Sequence, residues 1–220
     1  MVEVISGGLL GAFTILLVAN YFLAQHVFEH SRRNNLTVLV ESAGGGIAAA
    51  YVFLELIPEL NEEAHYVLCF AGFLLYYLLE KYIASTGKRR GVWLQYAYQC
   101  LYFFLVTATF YRHAENGAAV AVYILAMLMH VFSGTQELYA AHHKPFQTVG
   151  RGLFSAAVIA GALVAFYIRP VQEQELPLIP LLAGFLLLGI FRREFAEDRE
   201  IHYGAFVVAA VGFGGLLYLV

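Results

Sequence analysis

The feature that most limits this chain is its series of apolar runs. Eight stretches of about 20 residues, the length a helix needs to cross the hydrocarbon core of a bilayer, fall at 4–25, 36–58, 65–85, 92–112, 118–141, 152–169, 176–193 and 202–220. In such a core each backbone N–H and C=O must be satisfied within the protein, so these runs are expected as helices rather than loops or open strands. The joining segments are too short to hold a soluble domain. The expected fold class is all-α: a polytopic membrane protein of eight transmembrane helices forming one domain over 1–220. A composition 60% hydrophobic and 13% charged agrees with that reading.

The placement of Lys and Arg sets an expected orientation. Odd-numbered loops and their helix ends carry Arg32, Arg33, Lys81, Lys88, Arg89, Arg90, Lys144, Arg151, Arg192, Arg193 and Arg199, whereas even-numbered ones carry only Arg112 and Arg169. Basic loops stay cytoplasmic, and eight spans then put both termini outside, in the periplasm or extracellular space. The opening MVEVISGG lacks the basic region of a signal peptide, so the first run is expected to persist as a helix. A formal charge of −3 points to no nucleic-acid partner. Cys69 and Cys100 lie inside apolar runs, where they read as small hydrophobes rather than a disulfide or a metal pair.

Polar groups inside these runs carry the functional expectations. A charge at membrane depth costs roughly 2.5–3.5 kcal/mol on insertion scales, so it faces protein or water rather than lipid. The segment Leu36 to Leu60 holds Glu41, Glu55, the Gly44-Gly45-Gly46 triplet and Pro58. On a straight helix Glu41 and Glu55 share a face, with Glu59 one turn beyond, and the glycines let a neighbouring helix come close. In the fifth run His130 is followed two turns later by Glu137, with Ser133 on the same side. His130 can change charge near neutral pH, which suits proton coupling. In the fourth run, QYAYQCLYFF turns Gln95, Tyr98, Gln99 and Tyr102 inward. Plainer readings stand beside these. A membrane histidine can simply hydrogen-bond a neighbour, and Glu41 can be solvated or paired with arginine. The pairs His26/His30 and His142/His143 read as exposed helix-end histidines. Arg192, Arg193, Glu194, Glu197, Asp198, Arg199 and Glu200 read as a solvated, ion-paired helix end.

The second and seventh runs also share an Ala-Gly start (Ala43-Gly44, Ala183-Gly184) followed by paired acidic residues. Under the expected orientation the two runs point in opposite directions, as in inverted-repeat transporters. The stretch GGGIAAAYVFLELIPEL resembles the second helix of ZIP-type divalent-metal transporters, a Gly-rich apolar run that ends in an acidic Pro-Glu. The stretch from Leu182, LAGFLLLGIFRREFAEDREIHYGAFVVAAVGFGGLLYLV, is similar to the last two helices of that family. His130 with the His142-His143 pair looks like a small, divergent bacterial ZIP-like group.

This resemblance implies a 3+2+3 arrangement with inverted repeats: helices one to three at 1–88, a central pair at 89–143 and helices six to eight at 150–220. It places the metal site mainly on the central pair, because zinc and iron favour imidazole and carboxylate ligands on facing helices. The chain departs from the family in three places. Helix four offers Gln and Tyr instead of His or carboxylate, Gly134 stands one turn after His130 where a polar ligand is usual, and the loop after helix three is TGKRRG rather than His-rich. The implied site is a reduced one: His130, Glu137, Glu41 and Gln99. The expected function is transport of a divalent cation of the zinc or iron class, with the metal as cargo and no resident cofactor. The alternative is a transport-inactive ZIP-like structural or regulatory membrane protein. An intramembrane zinc hydrolase would need three ligands and an open water position, a density these histidines and acids do not reach, so no enzyme is expected. The expected partners are the lipid bilayer, the cation and a second copy in a homodimer. The expected location is the bacterial inner membrane.

Overall fold

The computed structural model describes residues 2–31, 35–85, 88–110, 117–167, 178–194 and 202–219. Among them the chain forms eight long helices and no strand: α1 (Val2–Ser31), α2 (Asn35–Tyr51), α3 (Glu63–Ser85), α4 (Lys88–Ala108), α5 (Gly117–Ala141), α6 (Arg151–Tyr167), α7 (Leu178–Glu194) and α8 (Tyr203–Leu219). Five segments are long and apolar enough to cross a membrane: Gly7–Phe28, Val38–Leu56, Glu63–Ile83, Ala119–Ala141 and His143–Tyr167. Ile179–Arg192 and Tyr203–Leu219 are apolar but shorter. Helix α4 falls in neither group, since it opens with Lys88, Arg89 and Arg90 and carries Gln95 and Gln99 further along.

Two prolines reshape the expected spans. Pro58 has no N–H to give the Leu54 carbonyl, and its ring would crowd that oxygen. The preceding turn, Val52–Leu56, widens to a π-helix closed by Ile57 N–H to Val52 O at 2.9 Å. A π turn shifts the phase of everything beyond it. Glu55 lies inside this turn, so the shared face expected for Glu41 and Glu55 on a straight helix does not hold. Near Pro145 the segment expected as a loop is helical instead: a turn at His143–Pro145 and a π turn at Phe146–Gly150 lead directly into α6. First-turn N–H groups have no partner in any helix, so Pro145 costs little there. The break is confined to His142 (φ −140°, ψ 51°), and the sixth span begins at His143.

Three helix pairs make the closest contacts: α2 with α8, α3 with α7, and α4 with α6. Each pair runs parallel, and each crosses at glycine. A Cβ on Gly46 would stand 2.2 Å from Phe206 O, one on Gly184 2.0 Å from Cys69 O, and one on Gly161 2.1 Å from Thr107 Oγ1. Thr107 Oγ1 also donates across the α4–α6 crossing to Val158 O at 2.9 Å. Helix α1 packs on α5 and α6. Where α1, α4 and α6 meet lies an aromatic core in which Tyr21, Phe103 and Phe154 pack with ring centroids 5.1 to 5.8 Å apart. Large apolar side chains such as Ile15, Phe70, Leu78, Val208 and Val211 cover the outside. An exterior of that kind suits an apolar surrounding rather than water.

Contacts also bring the basic helix ends together. Arg192 pairs with Glu80, Tyr98 bonds Glu80, His142 bonds Gln95, and Arg151 lies over the Phe22 ring. Lys81, Arg90, Lys144, Arg151 and Arg192 therefore share one end of the bundle.

The glycine crossings give a direct test. Gly184→Ala is expected to destabilise by about 1–3 kcal/mol, the usual cost of forcing atoms into a filled contact. Gly152→Ala, whose Cβ would meet nothing within 4 Å, is expected to be neutral or slightly stabilising. Thermal unfolding in detergent, followed by fluorescence-detected size exclusion, checks both. Equal melting temperatures for the two variants would remove the close-approach argument.

Candidate functional site

Among the described residues four helices line a partly open cavity of about 50 Å³ with many polar groups in its wall. Its lining follows helical spacing on each element. Helix α3 gives Tyr76, α4 gives Gln95, Tyr98, Gln99 and Tyr102, α5 gives His130, Gly134, Glu137 and Leu138, and α7 gives Phe185, Gly189 and Arg192. The stripe on α4 is the set that its sequence turns inward. One water needs about 10–15 Å³ on this measure, so the cavity holds a few waters or one small solute.

The cavity has two levels. His130 and Glu137 are two turns apart on α5, which separates them by about 10 Å along the axis. At the inner level His130 is 9% exposed and meets the Tyr102 ring edge-on at 5.7 Å, with Gln99 alongside. Gly134 leaves space here, since a Cβ on it would meet only Gln99 Nε2, at 4.0 Å. At the outer level the Arg192 guanidinium donates to Glu80 Oε1, and its Nη2 lies 4.0 Å from Glu137 Oε1. Tyr98 donates to the same Glu80 oxygen at 3.0 Å. Tyr76 stacks edge-on against both Tyr98 and Phe185.

Of the four residues expected to form the site, His130, Glu137 and Gln99 line this cavity. Glu41 does not. Helix α2 packs on a different face of α5, where Gly44 lies against Met129 and Ser133, and Glu41 sits on that helix outside the lining. Ser133, expected beside His130, also turns away and donates to Met129 O at 3.0 Å. Among the described residues no group of three or more His, Cys, Asp and Glu side chains converges as a metal site.

Arg192 reads in sequence as part of a solvated, ion-paired helix end; it is exposed and ion-paired, its partner being Glu80 across the bundle, and it also lines the cavity. The side chains of Arg193 and Glu194, and all of Glu197 to Glu200, lie outside the described residues. Sequence reading also missed Tyr76 and Glu80. The available signal was one acidic and one basic residue near the ends of the third and seventh apolar runs, a pattern that calls for a partner. His26 is exposed on α1, and the side chain of His30 lies outside the described residues. His143 stacks on Tyr139 and Phe28.

His142, between the fifth and sixth spans, connects the cavity lining to the basic end. Its Nε2 and Gln95 Oε1 are 2.8 Å apart, so the tautomer protonated at Nε2 donates to the amide oxygen. Burial pushes the imidazole below its ordinary value, and a hydrogen bond to the Ala141 backbone offsets part of this. Comparison with family models, curated proteins and solved structures found no match to this chain.

A lowered folded-state pKa means the unfolded chain binds the proton more readily between the lowered value and about 6.5. Stability is therefore expected to fall as pH drops through that window. Melting temperatures at pH 7.5 and pH 5 should differ less for His142→Gln than for the parent. An unchanged difference would show that His142 does not contribute.

Proposed function

We propose that the chain is an integral membrane protein of ZIP-like architecture that moves a divalent cation of the zinc or iron class through the cavity between α3, α4, α5 and α7. The observation that carries this reading is that His130, Gln99 and Glu137 of the central helix pair all line one polar cavity. The helix pairing supports the architecture. Exchanging α1 with α6, α2 with α7, α3 with α8 and α4 with α5 carries the α2–α8 contact onto α7–α3, α1–α5 onto α6–α4, and α2–α5 onto α7–α4. The α1–α6 and α2–α7 contacts map onto themselves. That is the relation expected of inverted repeats flanking a central pair. The α3–α4 contact departs from it, because α5 and α8 do not pack comparably among the described residues. In this reading the basic end faces the cytoplasm and both termini lie outside.

A second reading has its own support. A cation in this cavity would meet one imidazole, one amide and a carboxylate already close to arginine, and no three-ligand set is assembled among the described residues. That favours a ZIP-like scaffold with a structural or regulatory role.

Two variants separate the readings. For a carrier, His130→Ala is expected to abolish zinc or iron uptake into proteoliposomes. Gly134→Asp, which adds a carboxylate one turn from His130 in open space, is expected to tighten zinc binding by about tenfold, or roughly 1.4 kcal/mol. Isothermal titration of the purified protein measures the second effect. Uptake unaffected by His130→Ala, with no gain from Gly134→Asp, would leave the scaffold reading in place.

A further inference from the structure

We propose that Arg192 is the latch that closes the cavity at the basic end of the bundle. This proposal rests on the transport reading only in what the latch is for. The geometry that supports it is independent of any cargo.

The guanidinium projects from α7 and donates to Glu80 on α3, with Glu137 on α5 within ion-pair distance at 4.0 Å. The same Glu80 oxygen also accepts from Tyr98 on α4 at 3.0 Å. Arg192 thus links α7 to α3 and α5, and Tyr98 adds α4 through Glu80, so one network joins all four helices that line the cavity at the outer level, two turns from His130. The linked elements come from both flanking groups, α3 on one side and α7 on the other, and from the central pair between them. Any motion that widens this end must separate at least two of them and break the network. Motion at the opposite end leaves the network intact. An ion pair placed this way biases the bundle toward one closed end, which is what alternating access requires of a gate.

The two arms of the latch differ. Glu80 is 19% exposed and holds two hydrogen bonds, whereas Glu137 is 43% exposed and at the limit of ion-pair reach. The Glu137 arm is therefore the weaker, and α5 is the helix that leaves first.

The cavity itself supplies the reporter positions. Gly134 and Gly189 both line it, and a Cβ on either meets nothing closer than 3.9 Å. Gly134→Cys is placed in the full chain with Cys69 and Cys100 changed to alanine. A membrane-impermeant maleimide is then applied separately to each face of sealed vesicles. A separate Lys144→Cys protein identifies the basic face, since Lys144 is exposed at that end. Arg192→Gln is expected to raise the labelling rate at Gly134→Cys from the basic face by about tenfold, equivalent to shifting the open–closed balance by roughly 1.4 kcal/mol. Labelling from the other face should not rise. The exchanged pair Glu80→Arg with Arg192→Glu is expected to restore slow labelling. Tyr98→Phe, a smaller change that keeps the ring, covers the case in which Arg192→Gln does not fold, and it should give a smaller rise on the same face only. Unchanged labelling in the variants that fold, or an equal rise from both faces, overturns the latch. Because the assay needs no metal, a working latch in a protein that fails to take up cation would reject the cargo reading and keep this one.

Discussion

The structure depends on how closely its parallel helices approach. In an apolar surrounding, burying apolar side chains between helices gains little, because lipid is as apolar as leucine. Association then relies on close packing of backbones, and that needs residues without side chains at the crossings. Gly46, Gly161 and Gly184 occupy those points, each with backbone or a hydroxyl where a Cβ would go. With α2 held to α8, α3 to α7 and α4 to α6, a cavity is left between α3, α4, α5 and α7. The glycines that line the cavity behave differently. Gly134 and Gly189 have open space before them, so they widen the void instead of sealing a contact.

Much of this is legible in the sequence where a single helix decides the outcome. The inward stripe of Gln95, Tyr98, Gln99 and Tyr102 follows from helical periodicity alone, and so does the shared side of His130 and Glu137. Effects involving two elements were not legible. The Ala-Gly likeness between the second and seventh runs aligns Gly44 with Gly184, yet the glycine that crosses α8 as Gly184 crosses α3 is Gly46, two residues later. A register shift of that size is set by how neighbouring helices interlock, which no one-dimensional comparison contains. The position of Glu41 off the cavity lining was not legible for a similar reason. Its place on α2 is visible in sequence, but the face of α5 against which α2 packs is not.

Backbone chemistry accounts for the other departures. Pro58 removes an N–H and the turn before it widens to a π turn, whereas Pro145 stands in a first turn that needs no N–H and is followed by a π turn. One turn alters the phase of Glu55, and the other converts an expected loop into the start of a span. Proline signals a disturbance, but whether a helix kinks, ends or widens depends on the packing around it.

The charge balance of the cavity includes the rim around it. Glu80 and Glu137 with Arg192 leave one net negative charge at the outer level, while the inner level around His130 holds only neutral groups when the imidazole is neutral. Lys81, Arg90, Lys144 and Arg151 share the basic end of the bundle, so the carboxylates of Glu80 and Glu137 sit inside a predominantly basic rim, and the formal charges there do not by themselves select a solute by sign.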